Sequence, residues 1–182
     1  KNSWLVIIIS GAILIGLAIT STQVKYNYDL LSSFPEDMSS REGFTLIEEN
    51  FTPGELAPVH VLVDTDGQDL NITEQLKALP YVSLVKDVRT GGTNSNIQLY
   101  EVDLNKNPYS NEAMEDVDRL KVELPQILKS VGLQNAKERY FIGGETSAQI
   151  DTRDVQERDE NVIQPVIIVI TFIVLLVYLR AI

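Results

Sequence analysis

VIQPVIIVITFIVLLVYL, running from Val162 to Leu179, carries no charged side chain and is interrupted only by Gln164 and Pro165. WLVIIISGAILIGLAIT, from Trp4 to Thr20, is equally free of charge at the other end. At ~1.5 Å rise per residue each run reaches roughly 26 Å as a helix, close to the ~30 Å hydrocarbon core of a bilayer. A charge at mid-bilayer costs about 2.5–3.5 kcal/mol, and neither run contains one. The order expected is membrane helix, folded domain, membrane helix.

Every acidic residue lies between the two runs. Ser21 to Asn161 holds all 26 Asp and Glu against 13 of the 15 Lys and Arg, a balance of −13. Lys1 and Arg180 are the basic residues left at the outer ends. The positive-inside bias then places both ends in the cytoplasm and the acidic middle outside. The sequence starts at Lys1 and ends two residues beyond the second run's last leucine and its arginine, as a piece of a longer protein would. A cleaved signal peptide is the alternative for the first run, with Lys1 before it and small residues near Ala18 to Thr22. Zero cysteines exclude disulfide staples and thiol redox chemistry. The 141 residues between the runs suffice for their own core.

Within that middle, Tyr28 to Met38 reads as a linker broken by Pro35. Ser39 with Glu42 has the spacing of a capping box, and Phe44, Ile47 and Phe51 follow at helical spacing before Pro53-Gly54. Val59, Val61 and Val63 alternate with His60 and Leu62, which predicts a strand with one apolar face. Asp66-Gly67 turns the chain, and Ile72, Leu76 and Leu79 suggest a two-turn helix stopped by Pro80. Tyr81 to Arg89 and Asn96 to Leu104 read as a hairpin. Met114, Val117, Leu120, Leu124, Leu128 and Val131 form one helical stripe, with Pro125 expected to kink or split it and Gly132 to end it. Glu138 to Ile142 is a last strand. This β-α-β-β-α-β order predicts an α+β, ferredoxin-like sandwich flanked by two transmembrane helices. Its second sheet face would need a partner, with His60, Leu62, Tyr100 and Val102 as candidates to meet it.

The segments expected are a membrane helix over 1–20, a linker and short helix over 21–57, and the sandwich over 58–144. A polar helix over 145–161 and a second membrane helix over 162–182 complete the chain. Thr146 and Gln149 have the form of another capping box. Arg153–Glu157 and Asp154–Arg158 are opposite charges at i,i+4, each pair contributing about 0.3–0.5 kcal/mol. One helix would thus rise from the bilayer to the Gly143-Gly144 joint. It could transmit motion between domain and membrane or serve only as a connection, and Pro165 could hinge it in either case.

Other candidate sites are sparse. Asp64, Asp66 and Asp69 surround Gly67 in a pattern with the glycine two positions early for a calcium loop and no acidic twelfth residue; a turn with capping carboxylates is the simpler reading. His60 is the single histidine, which excludes a histidine metal cluster and leaves it a strand residue facing a neighbour. Asn50-Phe-Thr52 and Asn71-Ile-Thr73 match the glycosylation acceptor pattern, which matters only if the source glycosylates and would be incidental in a bacterium. There is no phosphate-cradling glycine loop, and the acidic balance opposes nucleic-acid binding. The sequence offers no catalytic, cofactor-binding or metal-binding set, so an enzyme is not expected.

YDLLSSFPEDMSSREGF, from Tyr28 to Phe44, followed by FTPGELAPV from Phe51 to Val59, resembles the MMPL-type transporters of the resistance–nodulation–division (RND) superfamily. Gly143-Gly-Glu-Thr-Ser-Ala, Asp151, Arg158-Asp159 and Ile163-x-Pro165 are similar to the same family's approach to its next helix. The resemblance implies a proton-driven exporter of lipids, lipophilic compounds or drugs, built from two halves of six helices. In each half an outer porter domain with a βαββαβ-like core lies between the first two helices. Gly-Glu-Leu-Ala-Pro suggests the second half. The family's proton relay lies on the fourth and tenth helices, outside this chain, and no ionisable residue lies within either apolar run. Implied partners are the bilayer, the remaining helices, the second porter domain and a lipophilic substrate. A two-helix sensor with an outer ligand-binding domain, or an anchored scaffold, are the alternatives, and the continuation after Ile182 would discriminate: closely spaced apolar helices for a transporter, a soluble signalling domain for a sensor.

Overall fold

A computed structural model describes residues 3–21, 34–35, 37–93 and 95–178. Most of the expected linker, including the first residues of the Tyr28–Phe44 motif, lies outside them. So do Asn94 of the hairpin loop and the last four residues. The described chain is an α+β structure with one antiparallel sheet. Its elements are α1 (Ser3–Ser21), α2 (Ser39–Asn50), a 3-10 turn (Pro53–Leu56), β1 (Val59–Asp64), α3 (Thr73–Lys77), β2 (Val82–Val85), β3 (Arg89–Thr90), β4 (Ile97–Leu104), α4 (Asn111–Ser130), a second 3-10 turn (Ala136–Glu138), β5 (Tyr140–Gly143) and α5 (Glu145–Tyr178).

The sheet runs β2-β4-β1-β5, with β3 also paired to β4. Residues directly opposite across an antiparallel pair share a face. Val59 faces Val102, Val61 faces Tyr100, and Val61 also faces Ile142. Val59, Val61, Tyr100 and Val102 are all fully buried, in a core completed by Ile72 and Leu76 beside α3 and by Met114, Val117, Leu120, Leu124 and Leu128 of α4. The expected alternation along β1 is therefore present. Tyr100 and Val102, however, belong to this buried face and not to the second one. Register decides it: the residues opposite His60 and Leu62 are Glu101 and Leu99, and these four share the outer side. Leu62 also faces Phe141, which is 68% exposed there.

The hairpin departs from its expected form. The register slips between Val82 and Leu84 against β4, and Val88 turns in to pack on the margin of the core. One expected strand is thereby cut into β2 and β3. The α3 helix is also shorter than two turns. Asn71 accepts a hydrogen bond from the Thr73 backbone N–H at 2.9 Å, which starts the helix late.

At α4 the stripe from Met114 to Leu128 is buried as expected. Ser110 caps its start by accepting from the Ala113 N–H at 3.2 Å. At its end the Leu133 N–H donates to the Leu128 carbonyl and the Gly132 N–H to the Lys129 carbonyl, the bond pair of a Schellman closure. Pro125 does not split the helix, which runs unbroken from Asn111 to Ser130. A proline at this position leaves the carbonyl four residues earlier without its amide donor. That carbonyl belongs to Lys121, and the Tyr140 hydroxyl of β5 donates to it at 3.0 Å. The strand thus repairs the helix. Tyr140→Phe is expected to lower stability by about 1 kcal/mol. The loss should shrink in a Pro125→Ala background, where residue 125 regains an N–H. Thermal melts of the four proteins in detergent, combined as a double-mutant cycle, check this.

The α5 helix spans 34 residues without a break and includes Pro165. It is the one helix among the described residues long and apolar enough to cross a membrane; the apolar part of α1, Ile8–Leu17, is shorter. From Val162 onward the α5 side chains are exposed almost throughout.

Candidate functional site

The place where the sheet hands over to α5 gathers the chain's most specific contacts. β5 ends at Gly143, opposite His60. Gly144 then takes φ +110°, and a Cβ there would lie 2.7 Å from the Pro58 carbonyl oxygen. Only glycine combines that conformation with that approach. The chain reverses, and α5 starts at Glu145.

Thr146 and Gln149 do not form the expected capping box. Thr146 is already inside the helix and fully buried, and its hydroxyl donates to the Pro108 carbonyl at 2.9 Å. The Gln149 amide is buried with neither its nitrogen nor its oxygen bonded within the protein. Ser39 differs in the same way: Met38 occupies the cap position of α2, and no side chain caps it. In both cases the helix starts one or two residues away from the position that the spacing requires.

One turn further, Ile150 enters the core. Arg153 then bonds Asp118 of α4 at 2.9 Å and Asp154 at 2.9 Å. Burial opposes the Arg153 charge, but the hydrogen bonds to Asp118 and Asp154 outweigh it and raise its pKa above the usual arginine value. The expected i,i+4 pairs are replaced: Arg153 turns to Asp118 and Asp154 in place of Glu157, and Arg158 pairs with Asp159 in place of Asp154. A half-buried carboxylate on a neighbouring helix competes better than an exposed one on the same helix, because less water screens it. Sequence spacing along α5 could not reveal that partner.

The first two turns or so of α5 are therefore tied to the domain at three successive levels. Thr146 binds Pro108, Ile150 fills the core, and Arg153 binds Asp118. Beyond Arg153 no ion pair to another element is present among the described residues. A second joint lies at the entrance to the domain, where Phe44 of α2 packs edge-on against Tyr109 at 5.7 Å and Glu48 accepts from Asn107 at 2.7 Å. Tyr109 sits next to Pro108, so entrance and exit of the domain meet the same loop.

The remaining sequence candidates resolve locally. Asp64 accepts from the Asp66 N–H at 3.0 Å, and Asp66 lies in the left-handed region. Arg139 pairs with Asp64 at 3.4 Å and with Asp66 at 3.2 Å, so the acidic turn is closed by an arginine. Among the described residues no group of three or more His, Asp or Glu is placed to hold a metal. His60 is half-buried on the outer sheet face, between Gly143 and Glu101. Asn50 spends its amide on the Leu46 carbonyl. Asp103 is fully buried with Lys86 3.5 Å away, and burial pushes its carboxyl above the usual aspartate range while Lys86 offsets part of that.

Comparison with known proteins places this geometry. Residues 90–182, which contain β4, α4, β5 and α5, match the model of the MMPL family. An apo-petrobactin exporter of Bacillus anthracis is 48% identical over 182 residues, covering 100% of this chain and 24% of the exporter. A membrane protein of Streptomyces coelicolor is 31% identical over 158 residues, covering 84% of this chain and 18% of that protein. The chain thus spans about a quarter or less of the length of these curated relatives.

Proposed function

The chain belongs to the MMPL family, and from that premise we propose that it is the outer porter domain of an RND-type exporter, together with two of its membrane helices. The observation that carries this reading is α5, one helix from the sheet at Glu145 into an apolar run ending at Tyr178. Exposed apolar surface of that length is stable only against lipid or other membrane helices. The segments are then a first span over 1–20, a linker and α2 over 21–57, and a ferredoxin-like βαββαβ domain over 58–144. A helix extension over 145–161 and a second span over 162–182 complete the segments, and α5 joins the two without a break from Glu145 to Tyr178. The antiparallel order β2-β4-β1-β5, with α3 and α4 against one face, supports the ferredoxin-like assignment when β2 and β3 count as one interrupted strand.

In this reading the domain lies outside the cytoplasm and guides cargo, while the proton-driven step is carried by helices beyond this chain. It performs no bond-making chemistry. Cargo is lipophilic or amphipathic, and apo-petrobactin, named for the Bacillus anthracis relative, is the first compound to assay. The test uses the absence of cysteine in this chain. Gln68→Cys, at an exposed position, in an otherwise cysteine-free full-length protein should react with a membrane-impermeant maleimide in intact cells. Reaction only after the cells are permeabilised would overturn the outward placement. Loss of cargo export on gene deletion, restored by the full-length gene, tests the transport assignment.

A further inference from the structure

Three of the chain's eight lysines, Lys121, Lys129 and Lys137, line one hollow of about 540 Å³ beside Val122, Pro125 and the Tyr140 ring. An adjoining hollow of about 390 Å³ shares Lys129 and Lys137, with Glu138 its one acidic residue. The chain carries a net charge of −11, so this concentration of positive charge runs against its overall composition. Pairing sharpens the point. Lys77, Lys86, Lys106 and Lys121 each have a carboxylate partner. Among the described residues Lys129 and Lys137 have none, and these are the two that line both hollows.

Height follows from α5. Thr146 bonds Pro108 and Arg153 bonds Asp118, so α5 and α4 run side by side in the same sense. Lys129 lies eleven residues beyond Asp118, about 16 Å along α4, and Val162 lies nine beyond Arg153, about 14 Å along α5. The Lys129 end of the hollow therefore sits level with the start of the apolar run, where lipid headgroups are found, while Lys121, only about 5 Å beyond Asp118, marks its end nearer the domain.

We propose that this hollow binds the headgroup of an anionic phospholipid in the leaflet facing the domain. Lys129 and Lys137 meet the phosphate, Lys121 adds charge while held by Asp118, and Val122, Pro125 and Tyr140 receive the first apolar carbons. The proposal rests on the reading above that α5 enters the bilayer near Val162. A headgroup bound there would seat the domain at a fixed height on the membrane, a role separate from that of cargo.

The test uses the full-length protein with Ser130→Cys, exposed beside the hollow and outside its lining, carrying a fluorophore, in phosphatidylcholine nanodiscs. These are doped with phosphatidylglycerol or with phosphatidylcholine, each bearing a nitroxide near its glycerol. Phosphatidylglycerol should quench at a mole fraction roughly tenfold lower, and Lys129→Gln with Lys137→Gln should abolish most of that difference, since each lysine at an anionic surface contributes severalfold. Equal quenching by the two lipids in the unsubstituted hollow would overturn the proposal. So would quenching by neither, which would put the hollow away from the bilayer. Displacement of the lipid by soluble glycerol phosphate would mark a free-anion site and overturn the lipid assignment. Impermeant labelling of Gln68→Cys, away from the hollow, in intact cells reports the outward placement separately, so the two readings fail independently.

Discussion

Inserting two glycines after Arg153 in the full-length protein is expected to abolish export while leaving the amount of protein in the membrane unchanged. Two added residues rotate everything beyond them by about 200° and lengthen the helix by about 3 Å. Each glycine also weakens the helix by about 1 kcal/mol relative to alanine. The contacts of Thr146, Ile150 and Arg153 stay in place, so the domain itself should fold. Only the rigid link to the membrane run changes. Inserting two alanines isolates the rotation, because helix strength is kept. Seven alanines restore the original face to within about 20° and isolate the length. Cargo export is measured against surface abundance for all three. Export at the unmodified level with the glycines inserted would remove any mechanical role for α5 and leave it a simple connection.

Gly54→Ala should be the most damaging small substitution in the domain. A Cβ at this position would lie 2.2 Å from the Leu104 backbone nitrogen, 2.4 Å from its carbonyl oxygen and 2.9 Å from the Asp103 carbonyl carbon. No side-chain rotation relieves a clash with backbone, so the Pro53–Leu56 turn must lift from the end of β4. Overpacking of this kind costs about 1–3 kcal/mol, and the contact with buried Asp103 places this case at the upper end. Gly43→Ala is the control. A Cβ there meets nothing within 4 Å, and alanine in a helix interior gains up to about 1 kcal/mol. Thermal melts of both proteins in detergent should therefore shift in opposite directions; a Gly54→Ala protein as stable as the parent would show that the turn is not docked.

What could be read from the sequence, and what could not, divides along the range of the interactions. Val59 to Val63 declared their strand because alternation is a property of neighbours. The Met114–Leu128 stripe declared its helix for the same reason, and the single long helix through Val162 was legible from the absence of any breaker before Pro165. The errors lie where a distant residue decides. Tyr100 and Val102 were assigned to the wrong face because only the register with Val59 and Val61 fixes it. Pro125 reads as a kink or a split, and the split does not occur where Tyr140 supplies the missing donor. Arg153 shows its neighbour Glu157 in the sequence and its partner Asp118 only in space. The candidate site, being made of such pairs, was legible as a segment and not as a set of contacts. The lysine hollow was missed altogether, although Lys129 and Lys137 flanking Gly132 in an acidic chain were a signal.

The continuity of α5 has a geometric consequence. Its 34 residues make a bar about 51 Å long, gripped by the domain at one extremity and by lipid at the other. If such a bar pivots near its midpoint by about 10°, the gripped extremity sweeps about 4 Å, more than the reach of a hydrogen bond. Modest leaning of one helix is thus enough to displace its attached end by more than a contact distance, with no residue in the domain having to change its own fold.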